Sequence, residues 1–197
     1  MTARLFTLKR DARGAALMEF ALVLPIALIL ILGGIEIGHT FYVKSVLVGK
    51  LQKAARDMSL EGAASDSAIT AIQNEVTSGV KQVMSDARVT YDLCSFHDYK
   101  NAANRPEEFG DTDHDGVCNH GETYVDSNGN GQWDADGSRE GRGGAKDVVM
   151  LTATVTYARF GMARLFSSNP DVKLVASTLL RNQPSTTQSE PSTRTCP

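Results

Sequence analysis

Between Ala15 and Ile35 the chain carries no polar or charged side chain except Glu19. At about 1.5 Å per residue a helix of that length covers roughly 30 Å, the thickness of a bilayer's hydrocarbon core. The apolar rhythm then changes without stopping. Ile37, Phe41, Val46, Leu47, Leu51, Ala54 and Ala55 recur at helical spacing, with Lys44, Lys50, Lys53 and Arg56 between them. These positions predict one helix over 15–58, apolar all round in its first half and amphipathic in its second. Pro25 falls inside it, where a membrane helix tolerates the lost hydrogen bond. Gly62, among small and polar neighbours, is the expected stop.

Ile69, Ile72, Val76, Val80 and Val83 repeat at three and four, predicting a second amphipathic helix capped by Ser65 or Asp66. Val89, Tyr91 and Leu93 alternate, as a short strand ending at Cys94 would. Val149 to Tyr157 and Val172 to Leu180 alternate over longer runs. They predict two antiparallel strands joined through 160–169, with a turn of helix at Met162–Phe166. The expected fold class is α+β: a long N-terminal helix, a second helix, a small antiparallel sheet and a loop-rich insert. The segments are 1–14, a basic leader; 15–58, membrane and stalk helix; and 59–94, head helix and strand. An acidic insert (95–146), the closing strands (147–181) and a disordered Ser/Thr/Pro tail (182–197) complete the chain.

Charge divides the chain unevenly. Residues 1–13 hold Arg4, Lys9, Arg10 and Arg13 against Asp11. A basic flank before a membrane helix stays cytoplasmic, so the bulk of the chain is expected outside. From Glu107 to Glu140 there are ten acidic residues and a single basic one, Arg139. That surface repels nucleic acid and suits a cation.

Within the insert, Asp111, Asp113, Asp115, Gly116, Val117, Asn119 and Glu122 occupy positions 1, 3, 5, 6, 7, 9 and 12 of a twelve-residue calcium loop. Alternate side chains converge on a hard cation, glycine permits the sharp turn, and Glu122 supplies two oxygens from the far side. A second loop starts at Asp126, with Asn128, Asn130, Gly131, Gln132 and Asp134 at positions 3, 5, 6, 7 and 9. Its twelfth position is Gly137, so Asp136 at position 11, Glu140 further on, or water must close the shell. The paired loops resemble the calcium motifs of extracellular bacterial proteins. Ca2+ is therefore the expected cofactor, acting as a staple for an insert that has almost no apolar core of its own. His114, Cys118 and His120 could be drawn as a zinc set, but they stand at positions 4, 8 and 10, away from the converging oxygens. Trp133 is expected to pack locally.

The three cysteines, Cys94, Cys118 and Cys196, all fall on the expected outer side. In an oxidising compartment two of them pair, and sequence spacing does not choose among the three pairings. No G-x-S-x-G, H-E-x-x-H or phosphate-binding glycine loop is present, and the reading is of a non-enzyme.

The basic leader ending at Gly14, with Glu19 five residues on, resembles type IV prepilins. More narrowly, Arg13-Gly-Ala-Ala-Leu-Met-Glu-Phe-Ala-Leu-Val-Leu-Pro resembles the start of TadE-like minor pilins, or pseudopilins, of tight-adherence (Flp) pilus systems. That resemblance implies cleavage between Gly14 and Ala15, ahead of Phe20, by a prepilin peptidase. It also implies pairing of Glu19 with a neighbouring subunit's new N-terminal amine. The implied partners are the inner membrane, that peptidase, other pilins and the assembly platform. A single-pass inner-membrane protein with its head periplasmic or extracellular follows, taking part in the assembly of a pilus used for attachment as a fibre subunit, an assembly primer or a membrane-resident factor. Two other readings compete: a single-span anchored calcium-dependent adhesion module left uncut at Gly14, and a secreted calcium-binding protein released by signal peptidase.

Overall fold

The computed structural model describes residues 12–59, 65–159, 168–183 and 188–197. Three helices and six strands follow one another along them: α1 (Ala12–Ser59), α2 (Asp66–Lys81), β1 (Arg88–Phe96), α3 (Tyr99–Asn104), β2 (Thr123–Asp126), β3 (Arg139–Glu140), β4 (Val148–Ala158), β5 (Asp171–Arg181) and β6 (Ser192–Thr195). The α+β class expected from periodicity is what the chain adopts. Two compact units divide it, one of Met1–Tyr42 with Ala158–Val172, the other of Val43–Tyr157 with Lys173–Pro197.

The first unit contains the apolar half of α1. Leu17, Leu22, Ile26, Leu30 and Ile35 are all more than half exposed, and the helix is long and apolar enough to cross a membrane. Exposure of so many large apolar groups on a single helix is what a lipid-facing segment needs. Pro25 lies within the helix without ending it. Glu36 is the exception to the exposed pattern: it is buried and lies 3.4 Å from the Arg159 guanidinium.

The second unit has an apolar core. Val43, Leu47, Leu51, Ala54 and Met58, spaced by three and four along α1, are each at most 2 % exposed. Val76 and Val80 of α2 and Val149, Leu151, Ala153 and Val155 of β4 are buried with them. The Ser65 hydroxyl caps α2 by accepting from Ala68 N. Tyr91 of β1 donates from its hydroxyl to Gln73 O, 2.8 Å away, which ties the sheet to α2. The four-stranded sheet has the order β3-β1-β4-β5. β1 and β4 pair antiparallel in continuous register from Arg88↔Thr156 to Phe96↔Val148. β1 therefore runs two residues past its expected end at Cys94, because β4 is long enough to pair with it.

Two expectations need correction. The tail from 182 is not disordered where it is described. Gln188 Nε2 donates to His97 O and Asp147 Oδ1, both at 2.7 Å. β6 then pairs antiparallel with β2, from Thr123↔Thr195 to Asp126↔Ser192. Polar composition favoured disorder, but β2 offers an unpaired edge, and main-chain pairing is indifferent to side-chain polarity. The insert also has a small core of its own, formed by Cys118, Tyr124 and Cys196 with Phe109 and Trp133 against it. The stop near Gly62, the helical turn at Met162–Phe166 and residues 1–11 of the leader lie outside the described residues.

Leu151→Ala removes a fully buried side chain at the centre of β4. A loss of about 2–5 kcal/mol is expected, read as a lowered Tm of the detergent-solubilised chain; an unchanged Tm would mean this strand is not core.

Candidate functional site

The insert is organised around β2. On one side lies β6; on the other, residues 108–110 run antiparallel, with Gly110 N donating to Thr123 O and Val125 N to Glu108 O, each 2.8 Å. Phe109 and Tyr124 form the bridge between them. Loop 1, residues 111–122, is thus the connection of a hairpin, and loop 2, residues 126–137, leaves from the far end of the same strand. A ladder on each side of β2 holds both loop ends in place.

Loop 1 folds as its spacing predicts. Oxygens of Asp111, Asp113 and Asp115 lie within 4.8 Å of one another. Gly116, at φ 76°, takes the left-handed turn that a side chain resists. Its N–H donates to Asp111 Oδ2 at 3.1 Å, Asp115 N to Asp113 Oδ1 at 3.3 Å, and Val117 N to Asp115 Oδ1 at 2.7 Å. Glu122 is buried and accepts from Thr112 N at 2.5 Å and Asn119 N at 3.4 Å. The Asp115 carboxyl is held below its ordinary range, chiefly by the Asn119 amide and then by Val117 N–H. Asn119 Oδ1 is a buried oxygen with no hydrogen-bond partner among the described residues. Several oxygens gathered on one side of a short loop can receive a hard divalent cation, which offsets their mutual repulsion.

Loop 2 repeats that scaffold. Gly131 N donates to Asp126 Oδ2 at 3.0 Å, Asn130 N to Asn128 Oδ1 at 3.0 Å, and Gln132 N to Asn130 Oδ1 at 2.8 Å. The Asn128 and Asn130 amides donate to Asp134 Oδ2 at 2.8 and 2.5 Å. Asp126, almost fully buried, also accepts from Arg194 Nε at 2.6 Å. Asp136, the expected closing ligand, is instead ion-paired with Arg105. Glu140 pairs across to Cys94 in the sheet.

Glu107 is the residue against loop 2 that sequence reasoning missed. It is buried, and it accepts from Ser127 N at 2.7 Å, Asn128 N at 3.2 Å and Asp134 N at 3.2 Å. Burial pushes its carboxyl above the usual range, against the pull of those three N–H groups. Its distance from loop 2 along the chain hides it; only the 108–110 ladder brings it there.

The cysteine pairing left open by spacing is decided: Cys118 and Cys196 form the disulfide, closing a separation of 78 residues, and Cys94 is free and buried. Cys118 stands at position 8 of loop 1, so the disulfide fastens the tail strand to that loop, and its sulfur is withdrawn from any zinc set. In the chain-entropy view a closure of this length contributes roughly 4 kcal/mol. Trp133 packs edge-on against Phe109, with ring centroids 5.4 Å apart, and donates from Nε1 to Glu107 O at 2.9 Å. It is a packing group, as expected.

Gly14, Ala15, Glu19 and Phe20 are all exposed on the apolar half of α1, and belong to the other compact unit. Residues 14–56 match the family model of TadE-like protein. The TadE-like span is 43 residues of a 197-residue chain. It starts at the predicted cleavage glycine and ends within α1, so it includes the membrane-capable stretch and leaves the acidic loops outside. It supports involvement in the Tad pilus system and fits a single-pass membrane anchor. The comparisons with curated proteins and with solved structures each gave no match.

Burial also raises the Cys94 thiol, the largest of several effects on it, which leaves little thiolate at neutral pH. Under non-reducing conditions Cys94 is expected to resist alkylation at pH 7 in the folded chain and to react once denatured, with Cys118 and Cys196 recovered in one linked peptide. Recovery of Cys94 in a disulfide would contradict the pairing.

Proposed function

We propose that this chain is a pilin-like subunit of the Tad pilus system, cut between Gly14 and Ala15 by a prepilin peptidase and carrying a calcium-stabilised head outside the membrane. The observation that carries the reading is a single acid, Glu19, on the exposed apolar half of a TadE-like helix, five residues after Gly14. A carboxylate in that setting costs up to about 3 kcal/mol on insertion scales. Cleavage after Gly14 creates a compensating charge, the Ala15 amine. In an assembled fibre the amine of one subunit meets Glu19 of its neighbour, and low dielectric strengthens the pair.

The head serves that role if it survives outside the cell. Calcium bound to loop 1 by Asp111, Asp113, Asp115, Asn119, Glu122 and the Val117 carbonyl stabilises the folded insert by about 2.7 kcal/mol at a hundredfold excess over Kd. Extracellular calcium modules bind at roughly 10⁻⁴–10⁻³ M, so the loops fill outside the cell and stay empty in the cytosol.

Intact mass and N-terminal sequence of the membrane-associated chain should show an Ala15 start only in cells that have the prepilin peptidase. Glu19→Ala should be cut normally yet fail to enter pili. An uncut chain in both strains would leave an anchored calcium-dependent module and end the pilin reading.

Removing calcium with a chelator should lower the Tm of the wild-type chain by about 10 °C, and Asp111→Ala should shrink that difference by the share that loop 1 supplies. Equal Tm values with and without calcium would dismiss the staple.

A further inference from the structure

Loop 2 has glycine where a calcium loop places its closing carboxylate, and the fold brings one from outside the loop. Phe109 pairs with Tyr124 in an antiparallel bridge, so stepping back two residues sets Glu107 opposite Asp126, the first residue of loop 2. There its carboxylate repeats, atom for atom, what Glu122 does in loop 1. Glu122 Oε1 accepts from the N–H at position 2 and Oε2 from the N–H at position 9. Glu107 Oε1 accepts from Ser127 N and Oε2 from Asp134 N, positions 2 and 9 of loop 2.

Two observations independent of those bonds agree. A Cβ on Gly137 would stand 2.7 Å from Glu107 Cγ, so the glycine at position 12 is what leaves room for the visiting side chain. Glu107 is also only 3 % exposed, and no cation pairs with it among the described residues. The nearby cations are engaged elsewhere: Arg105 with Asp136, Lys100 with Glu108, Arg194 with Asp126, and Arg139 with Asp147 and the Ser127 and Asn128 carbonyls. Buried carboxylates are ordinarily paired with a cationic side chain or placed on a metal. For Glu107 the missing positive charge has one evident place, the centre of loop 2.

We infer that Glu107 is the closing ligand of a second calcium site, completing loop 2 from outside its own twelve residues. This rests on the calcium reading of the loops. The ion would be held by Asp126, Asn128, Asn130, the Gln132 carbonyl and Glu107, with Asp134 at position 9. Asp136 is not a ligand; its work is to hold Arg105. The two sites share β2 as their common floor, since Glu122 directly precedes that strand and Asp126 ends it.

The test is calcium stoichiometry of the full chain in detergent by equilibrium dialysis, paired with terbium luminescence sensitised by Trp133, the single tryptophan of the sequence. Wild type should bind two ions. Glu107→Gln should bind one, with loop 2 affinity for terbium weakened about 10-fold or more; its retained loop 1 ion doubles as the check that the variant folds. Asp136→Asn should still bind two. The inference is overturned if Glu107→Gln keeps both ions, if Asp136→Asn loses one, or if Glu107→Gln loses both and so acts on the whole insert. A wild-type chain with one ion, lost in Glu122→Gln and kept in Glu107→Gln, also overturns it while leaving loop 1 intact. A wild-type chain that takes up no calcium removes the underlying reading itself.

Discussion

Glu107 and Asp126 are carboxylates held almost entirely out of water, and the architecture of the insert is the set of arrangements that makes this tolerable. A buried negative charge without compensation costs several kcal/mol. Asp126 receives the guanidinium of Arg194 and two loop N–H groups, while Glu107 receives three N–H groups and, among the described residues, no cation. Each compensation draws a distant part of the chain toward β2. Arg194 arrives on β6, Glu107 on the stretch that leads into residues 108–110. The short strand β2 is consequently flanked on both sides, although it is only 4 residues long.

The disulfide and the aromatic cluster follow from the same constraint. β6 needs a reason to stay on β2, since an exposed strand of Ser, Thr and Arg has little apolar surface to contribute. Cys196 supplies it by bonding to Cys118 within loop 1, and Cys196 N donates to Glu122 O at 2.7 Å. Tyr124, Phe109 and Trp133 then close over the sulfurs. The result is a module in which ladder, covalent link, aromatic packing and carboxylates depend on one another. Such a module suits an oxidising, calcium-rich exterior.

The membrane end of the chain obeys a different economy of forces. Its apolar residues are exposed, as a lipid-facing span requires, and its one early charge stands on that exposed surface. Further along, Glu36 is neutralised within the chain by Arg159. Glu19 has no such ion pair among the described residues. That contrast is what the proposed pairing with a neighbouring subunit's amine would answer.

Whatever depended on short-range spacing was legible in the amino-acid sequence. The reach of α1, the α2 repeat, the alternation of β4 and β5, the gathering of the loop 1 aspartates and the TadE-like string all lie within a few residues or turns of one another, where periodicity maps directly onto a face or a register. Composition misjudged the tail, because main-chain pairing to a free strand edge leaves no mark in the side chains that do it. Tertiary structure alone decided the Cys118–Cys196 pairing, the docking of β6, the release of Asp136 to Arg105 and the arrival of Glu107 at loop 2. Those contacts join residues up to 78 positions apart. They are set by which backbone edges meet in an antiparallel ladder, and local spacing carries no record of that.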